Sequence, residues 1–181
     1  MKAFVLSLTL FRIISGPLIF LITIFLQSAI LALFIFIAAS LSDYFDGKLA
    51  RSHKVETSLG AVLDPIADKI LVLFTLFTIT IITKDPFVGI ISSIVLAREF
   101  WVSGLREFAA MESLSNATKV TFLAKTKTSV QFISILCFFV SFELNNALIM
   151  FLARFLLFLS LLISIKTALQ YSENVFKENK Y

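Results

Sequence analysis

Apolar residues in this chain come in blocks long enough to cross a bilayer, and that pattern restricts the fold more than any other feature. A helix needs about 20 predominantly apolar residues to traverse the hydrocarbon core. Six segments meet that need: about Leu8 to Leu26, Ala29 to Leu49, Leu59 to Thr83, Phe87 to Ala110, Val120 to Val140 and Leu144 to Leu169. The second becomes polar in its last turns at Ser42, Asp43 and Asp46, and the third is polar at its start, with Asp64, Asp68 and Lys69. Asp85-Pro86 stops one helix and starts the next, because proline is tolerated in a first turn. Composition agrees with lipid as the solvent. Only 15% of residues are charged and 59% are hydrophobic, against about 25% charged in a soluble domain. Too few polar side chains remain to cover a fold in water. The expected fold class is therefore an all-α polytopic membrane protein with six transmembrane helices.

Charge sets the expected orientation. The connections at Gln27-Ser28, Lys84-Asp85 and Phe142 to Asn146 are short, and among them only Lys84 is basic. The two longer connections, about Ala50 to Ser58 and Met111 to Lys119, are flanked by Lys48, Arg51 and Lys54, and by Lys119, Lys125 and Lys127. The termini carry Lys2, Lys177 and Lys180. The positive-inside rule then makes both termini and both long connections cytoplasmic. The first block begins like a signal peptide, but Arg12 interrupts it and no small-residue cleavage pattern follows Pro17, so it is read as a retained span. Residues 1–170 form one transmembrane domain, and 171–181 read as a polar cytoplasmic tail of frayed helix or disorder. Cys137 is alone, which rules out a disulfide framework. Trp101 is expected to pack, and Arg154 to snorkel outward or to pair within the bundle.

The chemistry concentrates in four aspartates. Asp43 and Asp46 are spaced i, i+3 on one face of the second helix, and Asp64 and Asp68 are spaced i, i+4 on one face of the third. At about 1.5 Å per residue, Asp46 lies only about 7–8 Å before Arg51 and Asp64 only about 9 Å after the chain turns back near Ser58. Both pairs can therefore converge just beneath the cytoplasmic surface. Ionised carboxylates at that depth are costly and repel one another, so they persist where cations or function hold them. Oxygen-only ligands select hard ions such as Mg²⁺ or Mn²⁺, whereas the lone His53 gives no basis for zinc. Two divalent ions there can bind a diphosphate and stabilise its leaving charge, or one aspartate can act as a general base. Two other readings stay open on spacing alone. The acids can be salt-bridged structurally, to Arg51, Lys69 or Arg98, or they can line a transport pathway.

The string D43-x2-D46-G47-x2-A50-R51-x8-G60-x3-D64-x3-D68 resembles the signature of the CDP-alcohol phosphatidyltransferase family, and the resemblance extends to chain size and helix number. It implies transfer of a phosphatidyl or similar group from a CDP-linked donor to an alcohol, with release of CMP. By that resemblance Asp43, Asp46, Asp64 and Asp68 surround two Mg²⁺ or Mn²⁺ ions, Asp64 and Asp68 are catalytic, and Asp68 is the base on the acceptor hydroxyl. Gly47, Ala50, Arg51 and Gly60 match positions lining the CDP pocket. Physically, the glycines allow close approach to the helix backbone and Arg51 can grip phosphate oxygens.

Two further stretches bear on the acceptor. R98-E99-F-W-V-S103-G104-L105-R106 and A124-K125-T-K127-T128-x2-Q131 resemble blocks of family members that use glycerol 3-phosphate, and T9-L-F-R12 before Pro17 resembles their amino-terminal start. Arg106, Lys125 and Lys127 are then the expected acceptor-phosphate ligands, with Arg98 and Glu99 forming an ion pair. Basic residues at cytoplasmic helix ends also follow the positive-inside rule alone and touch anionic lipid heads. Ala124 stands where glycine is usual and Leu6 where asparagine is usual. The resemblance thus implies CDP-diacylglycerol and glycerol 3-phosphate as substrates, membrane lipids as surroundings, a homodimer, and a site facing the cytoplasm across a bacterial inner membrane. Serine, inositol or phosphatidylglycerol is the alternative acceptor, and no nucleic-acid partner is expected.

Overall fold

The computed structural model describes residues 2–53, 58–119 and 121–178, and within them the side chains of all but 2–5, 43–53, 58–59, 61 and 115. Among the described residues every regular element is a helix. It comprises α1 (Lys2–Phe25), α2 (Ala29–His53), α3 (Ser58–Thr83), α4 (Pro86–Met111), a short 3-10 helix (Ser115–Thr118), α5 (Phe122–Leu144) and α6 (Ala147–Glu178). Five stretches are long and apolar enough to cross a membrane: Leu6–Phe25, Val62–Thr83, Pro86–Met111, Phe122–Leu144 and Ala147–Glu178. In α2 the apolar part with described side chains is Ala29–Ser42. The chain is a multi-pass membrane protein.

The outer surface is unlike that of a water-soluble fold. Phe25, Phe34, Leu148 and Phe151 are among the most exposed side chains, while Thr9, Ser15, Thr75, Ser134 and Thr167 are buried. Small hydroxyl residues let helices approach closely, and their hydroxyls return to the carbonyl a turn back. Ser15 donates to Phe11 O at 2.7 Å and Thr75 to Leu71 O at 2.7 Å. Lipid is the solvent that suits these outward phenylalanines, whereas Phe36, Phe138 and Phe139 are buried in protein.

The helix ends follow local chemistry. Gln27, Lys84, Ser113 and Asn145 have φ of 52°, 49°, 59° and 47°, and each lies just past the end of a helix. Left-handed residues close a helix and reverse the chain in few residues. Without glycine, each costs about 1–2 kcal/mol. At the start of α4, Asp85 accepts a hydrogen bond from Phe87 N at 2.9 Å, with Pro86 in the first turn. Asp85 also pairs with Arg154 of α6 at 3.1 Å, which settles the fate of that intramembrane arginine: it is paired. At the start of α5, the Thr121 hydroxyl accepts from Ala124 N at 3.2 Å, so the helix begins at Phe122, just after Val120.

The chain forms two compact units: Met1–Lys84 with Phe139–Asn146, and Asp85–Phe138 with Ala147–Tyr181. In the first, α1 packs on α2 and α3. Gly16 makes the α1–α3 approach possible: a methyl group there would lie 3.0 Å from Ile70 O. Phe20 and Phe77 stack across the same seam with centroids 5.7 Å apart. Glu143 accepts from Ile30 N at 3.2 Å at the start of α2.

In the second unit α4 packs on α6, and the 3-10 helix rests on both. Val102, Leu105, Ala109, Ala117, Ala168, Tyr171 and Val175 form the buried cluster between them. This cluster corrects the expected frayed tail. Tyr171 and Val175 are one turn apart and fully buried, so α6 stays ordered to Glu178. Trp101 is a second correction. It is 54% exposed, and its indole N–H donates to Ser172 Oγ at 3.0 Å.

The two α-helical glycines described in this detail predict opposite responses. Gly16→Ala should cost about 1–3 kcal/mol, because the methyl must push α1 off the α3 backbone. Gly104→Ala meets nothing within 4 Å and should gain up to about 1 kcal/mol from helix propensity. Thermal unfolding in detergent, followed by circular dichroism, checks both, and equal losses at the two positions would contradict this packing.

Candidate active site

Helix geometry brings Asp64 and Asp68 onto one face of α3, and that face meets α1. Thr9 and Arg12, spaced i, i+3 on α1, reach across to them. Thr9 Oγ1 donates to Asp64 Oδ1 at 2.8 Å. Arg12 Nη1 donates to Asp68 Oδ1 at 2.5 Å, and Nη2 lies 3.4 Å from Asp64 Oδ1. The Arg12 side chain is 0% exposed, whereas those of Asp64 and Asp68 are 39% and 51% exposed. One buried guanidinium thus bridges two carboxylates that open onto the surface of their unit.

Arg12 is a partner of the acidic pair that the sequence reading did not name. Of the alternatives Arg51, Lys69 and Arg98, the Arg51 side chain lies outside the described residues and Arg98 pairs with Glu99. The signal was present in the sequence. Arg12 is a single charge inside an apolar run, and Thr9 shares its face one turn earlier. An arginine so placed needs an anion to stay.

Asp43, Asp46, Gly47, Ala50 and Arg51 belong to α2, but their side chains lie outside the described residues. Gly60 is buried near the start of α3. Among the described residues no group of three or more His, Cys, Asp or Glu gathers as a metal site. Asp64 and Asp68 nonetheless offer the right donors for a hard divalent ion, two carboxylates one turn apart and accessible. They fit such an ion as two members of a larger ligand set.

The acceptor candidates lie in the second unit, and they differ sharply from one another. Lys127 of α5 is 6% exposed, and its ammonium bonds Glu99 Oε1. Glu99 also pairs with Arg98 at 3.4 Å, as the sequence led us to expect. Arg98 is anchored further, donating from Nε to Ser164 O at 2.9 Å and from Nη2 to Thr167 Oγ1 at 2.5 Å. Arg98 is therefore an internal brace between α4 and α6. Arg106 and Lys125 are exposed. The Arg106 guanidinium lies 5.5 Å from the centre of the Tyr171 ring, a cation–π contact. The Tyr171 hydroxyl accepts from Thr121 N at 3.3 Å, tying the start of α5 to α6. Ala124, the departure from glycine, packs its methyl group against the Tyr171 cluster.

Tyr171 and Glu99 are the residues whose part sequence reasoning underestimated. Tyr171 was assigned to a loose tail, yet it holds Arg106 by its ring and α5 by its hydroxyl. Glu99 was matched to Arg98 only, yet it also neutralises Lys127.

The chain is similar to known proteins over most of its length. The family model described as CDP-alcohol phosphatidyltransferase matches residues 6–166. A protein of Rickettsia bellii (strain RML369-C) is 44% identical over 127 residues, covering 68% of this chain and 67% of its own length. One from Wigglesworthia glossinidia brevipalpis is 40% identical over 131 residues, 71% of each chain. One from Escherichia coli (strain K12) is 36% identical over 131 residues, again 71% of each. All three carry the name CDP-diacylglycerol--glycerol-3-phosphate 3-phosphatidyltransferase. With the full aspartate signature in α2 and α3 and a match across nearly its whole length, this chain belongs to the CDP-alcohol phosphatidyltransferase family.

Proposed function

We propose that this chain transfers the phosphatidyl group of CDP-diacylglycerol to glycerol 3-phosphate, giving phosphatidylglycerophosphate and CMP. The observation that carries the reading is the presentation of Asp64 and Asp68 together on one accessible face of α3. Relatives named for this reaction support the choice of substrates.

Asp43, Asp46, Asp64 and Asp68 would hold two Mg²⁺ or Mn²⁺ ions. When bound, such ions polarise a phosphoryl group and offset the charge that develops on a leaving phosphate. Gly47, Ala50, Arg51 and Gly60 would receive the CDP head, while the acyl chains stay in lipid. The acceptor hydroxyl attacks the phosphorus that bears diacylglycerol, a new P–O bond forms, and the bond to the CMP oxygen breaks. Asp68, half exposed, takes the hydroxyl proton as general base. Thr9 fixes Asp64 Oδ1 by its hydrogen bond, so that carboxylate is oriented before any substrate arrives.

The acceptor phosphate falls to Arg106, Lys125 and Lys127. Arg106 offers a planar fork of donors suited to phosphate and is already steered by Tyr171. Lys125 is exposed at the start of α5 and supplies a second positive charge. Lys127 contributes as part of the Glu99 pair, so its attraction for an anion is partly offset. A site of this kind suits a charged acceptor over neutral inositol. The positive-inside pattern supports a site facing the cytoplasm of a bacterial inner membrane, with both termini on that side. A homodimer accords with the family.

Purified protein in detergent, supplied with CDP-diacylglycerol, should release CMP only with a divalent ion and glycerol 3-phosphate together. EDTA should abolish turnover, and Mg²⁺ or Mn²⁺ should restore it. Turnover with serine or inositol but none with glycerol 3-phosphate would overturn the choice of acceptor. Asp68→Asn should lower kcat by about 10²–10⁴ fold, the scale of a lost general base, while helical content is kept. Arg106→Ala should raise the KM for glycerol 3-phosphate about tenfold or more and change kcat less, the pattern of lost substrate binding. An equal fall in kcat with an unchanged KM would remove Arg106 from the acceptor site.

A further inference from the structure

We propose that Arg12 is the resident counter-ion of the aspartate pair, and that it competes with a divalent cation for the same carboxylate oxygens. The inference rests on the metal-dependent reading above and adds to it a residue of α1. Its basis is the geometry of one side chain. Arg12 is wholly buried, and its two terminal nitrogens point at Oδ1 of Asp68 and Oδ1 of Asp64, at 2.5 and 3.4 Å. An ion shared by the two carboxylates through these oxygens would lie directly against the guanidinium.

Charge makes the two occupants exclusive. Without a cation, Asp64 and Asp68 are two like charges one turn apart, and Arg12 supplies the compensating positive charge. With a divalent ion on the same oxygens, the guanidinium faces two positive charges at close range, a strongly repulsive arrangement. Arg12 therefore gives up the Oδ1 atoms as an ion arrives. Thr9 does not compete, because its hydroxyl is neutral, and it keeps Asp64 in place during the exchange. The two α1 residues divide the work: Thr9 orients the pair, and Arg12 sets how much affinity is left for an ion.

The competition acts as a filter on metal affinity. A weak cation cannot displace a buried charge-assisted bridge, whereas a hard dication at sufficient concentration can. Arg12 also keeps the carboxylates gathered on one face when no ion is bound, at a depth where unpaired anions are costly. Arg12 is a positioning residue in this scheme, since it acts through the aspartates.

The test is Mn²⁺ binding to purified protein without lipid donor or acceptor, read from the free-ion signal in electron paramagnetic resonance. Arg12→Gln removes the charge and keeps a polar N–H₂ donor on a shorter side chain. It should bind Mn²⁺ about tenfold or more tightly than the wild type, and its thermal midpoint should rise more on adding Mn²⁺. Arg12→Lys keeps the charge but loses the fork, and its affinity should lie between the two. Asp68→Asn should lose the binding, which ties the signal to this site. If Arg12 is only a tether between α1 and α3, both Arg12 variants lose stability while Mn²⁺ affinity stays unchanged or falls, and that result overturns the proposal. Wild type and variants alike failing to bind Mn²⁺ would instead remove the metal-dependent reading itself, so the two failures are distinguishable.

Discussion

Two carboxylates one turn apart in a helix bordered by lipid repel each other and lack water to spread their charge. The Arg12 guanidinium, buried against them, lets α3 carry that pair. Its bridge to Asp64 and Asp68 requires α1 and α3 to lie close, which Gly16 permits by placing no side chain against the Ile70 carbonyl. The Phe20–Phe77 stack closes the same seam further along. A structural requirement and a chemical one thus coincide in one helix pair. The residues that make α1 pack tightly also hold the acids to which the proposed reaction is assigned.

The second unit solves the same problem of intramembrane charge by a different route. Arg98 is paid for by three acceptors, namely Ser164 O, Thr167 Oγ1 and Glu99. Glu99 in turn holds Lys127, so these buried charges form one connected network. Glu99 is the member on which that network turns, since its removal takes away the carboxylate that Lys127 and Arg98 share. Against that frame, Arg106 and Lys125 remain accessible, and only Arg106 is steered, by the Tyr171 ring. The contrast separates Arg98, a brace of the scaffold, from Arg106 and Lys125, which are open to an anionic ligand, with Lys127 between the two because Glu99 partly neutralises it.

Much of this organisation was legible in the order of residues. Helix positions follow from apolar runs, the break at Asp85-Pro86 from proline chemistry, and the shared face of Asp64 and Asp68 from helical periodicity. What escaped was pairing across helices. A hydropathy window shows Arg12 as an interruption in an apolar run, and nothing in one dimension says that α3 lies opposite. The end of α6 escaped for a related reason. Residues 171–178 look polar as a string, and their order depends on Tyr171 and Val175 meeting α4 and the 3-10 helix. Trp101 looked like a packing residue because tryptophan usually is, but its indole N–H found Ser172 at the exposed edge. The expected convergence of Asp43 and Asp46 with the α3 pair rests on side chains outside the described residues, so it stands on spacing and family membership.

The central claim is that aspartates of α2 and α3 share divalent ions. Crystals of the full chain grown with Mn²⁺ and a CDP-containing ligand, recorded at the manganese edge, address it directly. The account predicts anomalous peaks bound by Asp64 and Asp68 together with Asp43 and Asp46. Manganese bound elsewhere, with either carboxylate pair turned toward the acyl chains, would contradict it.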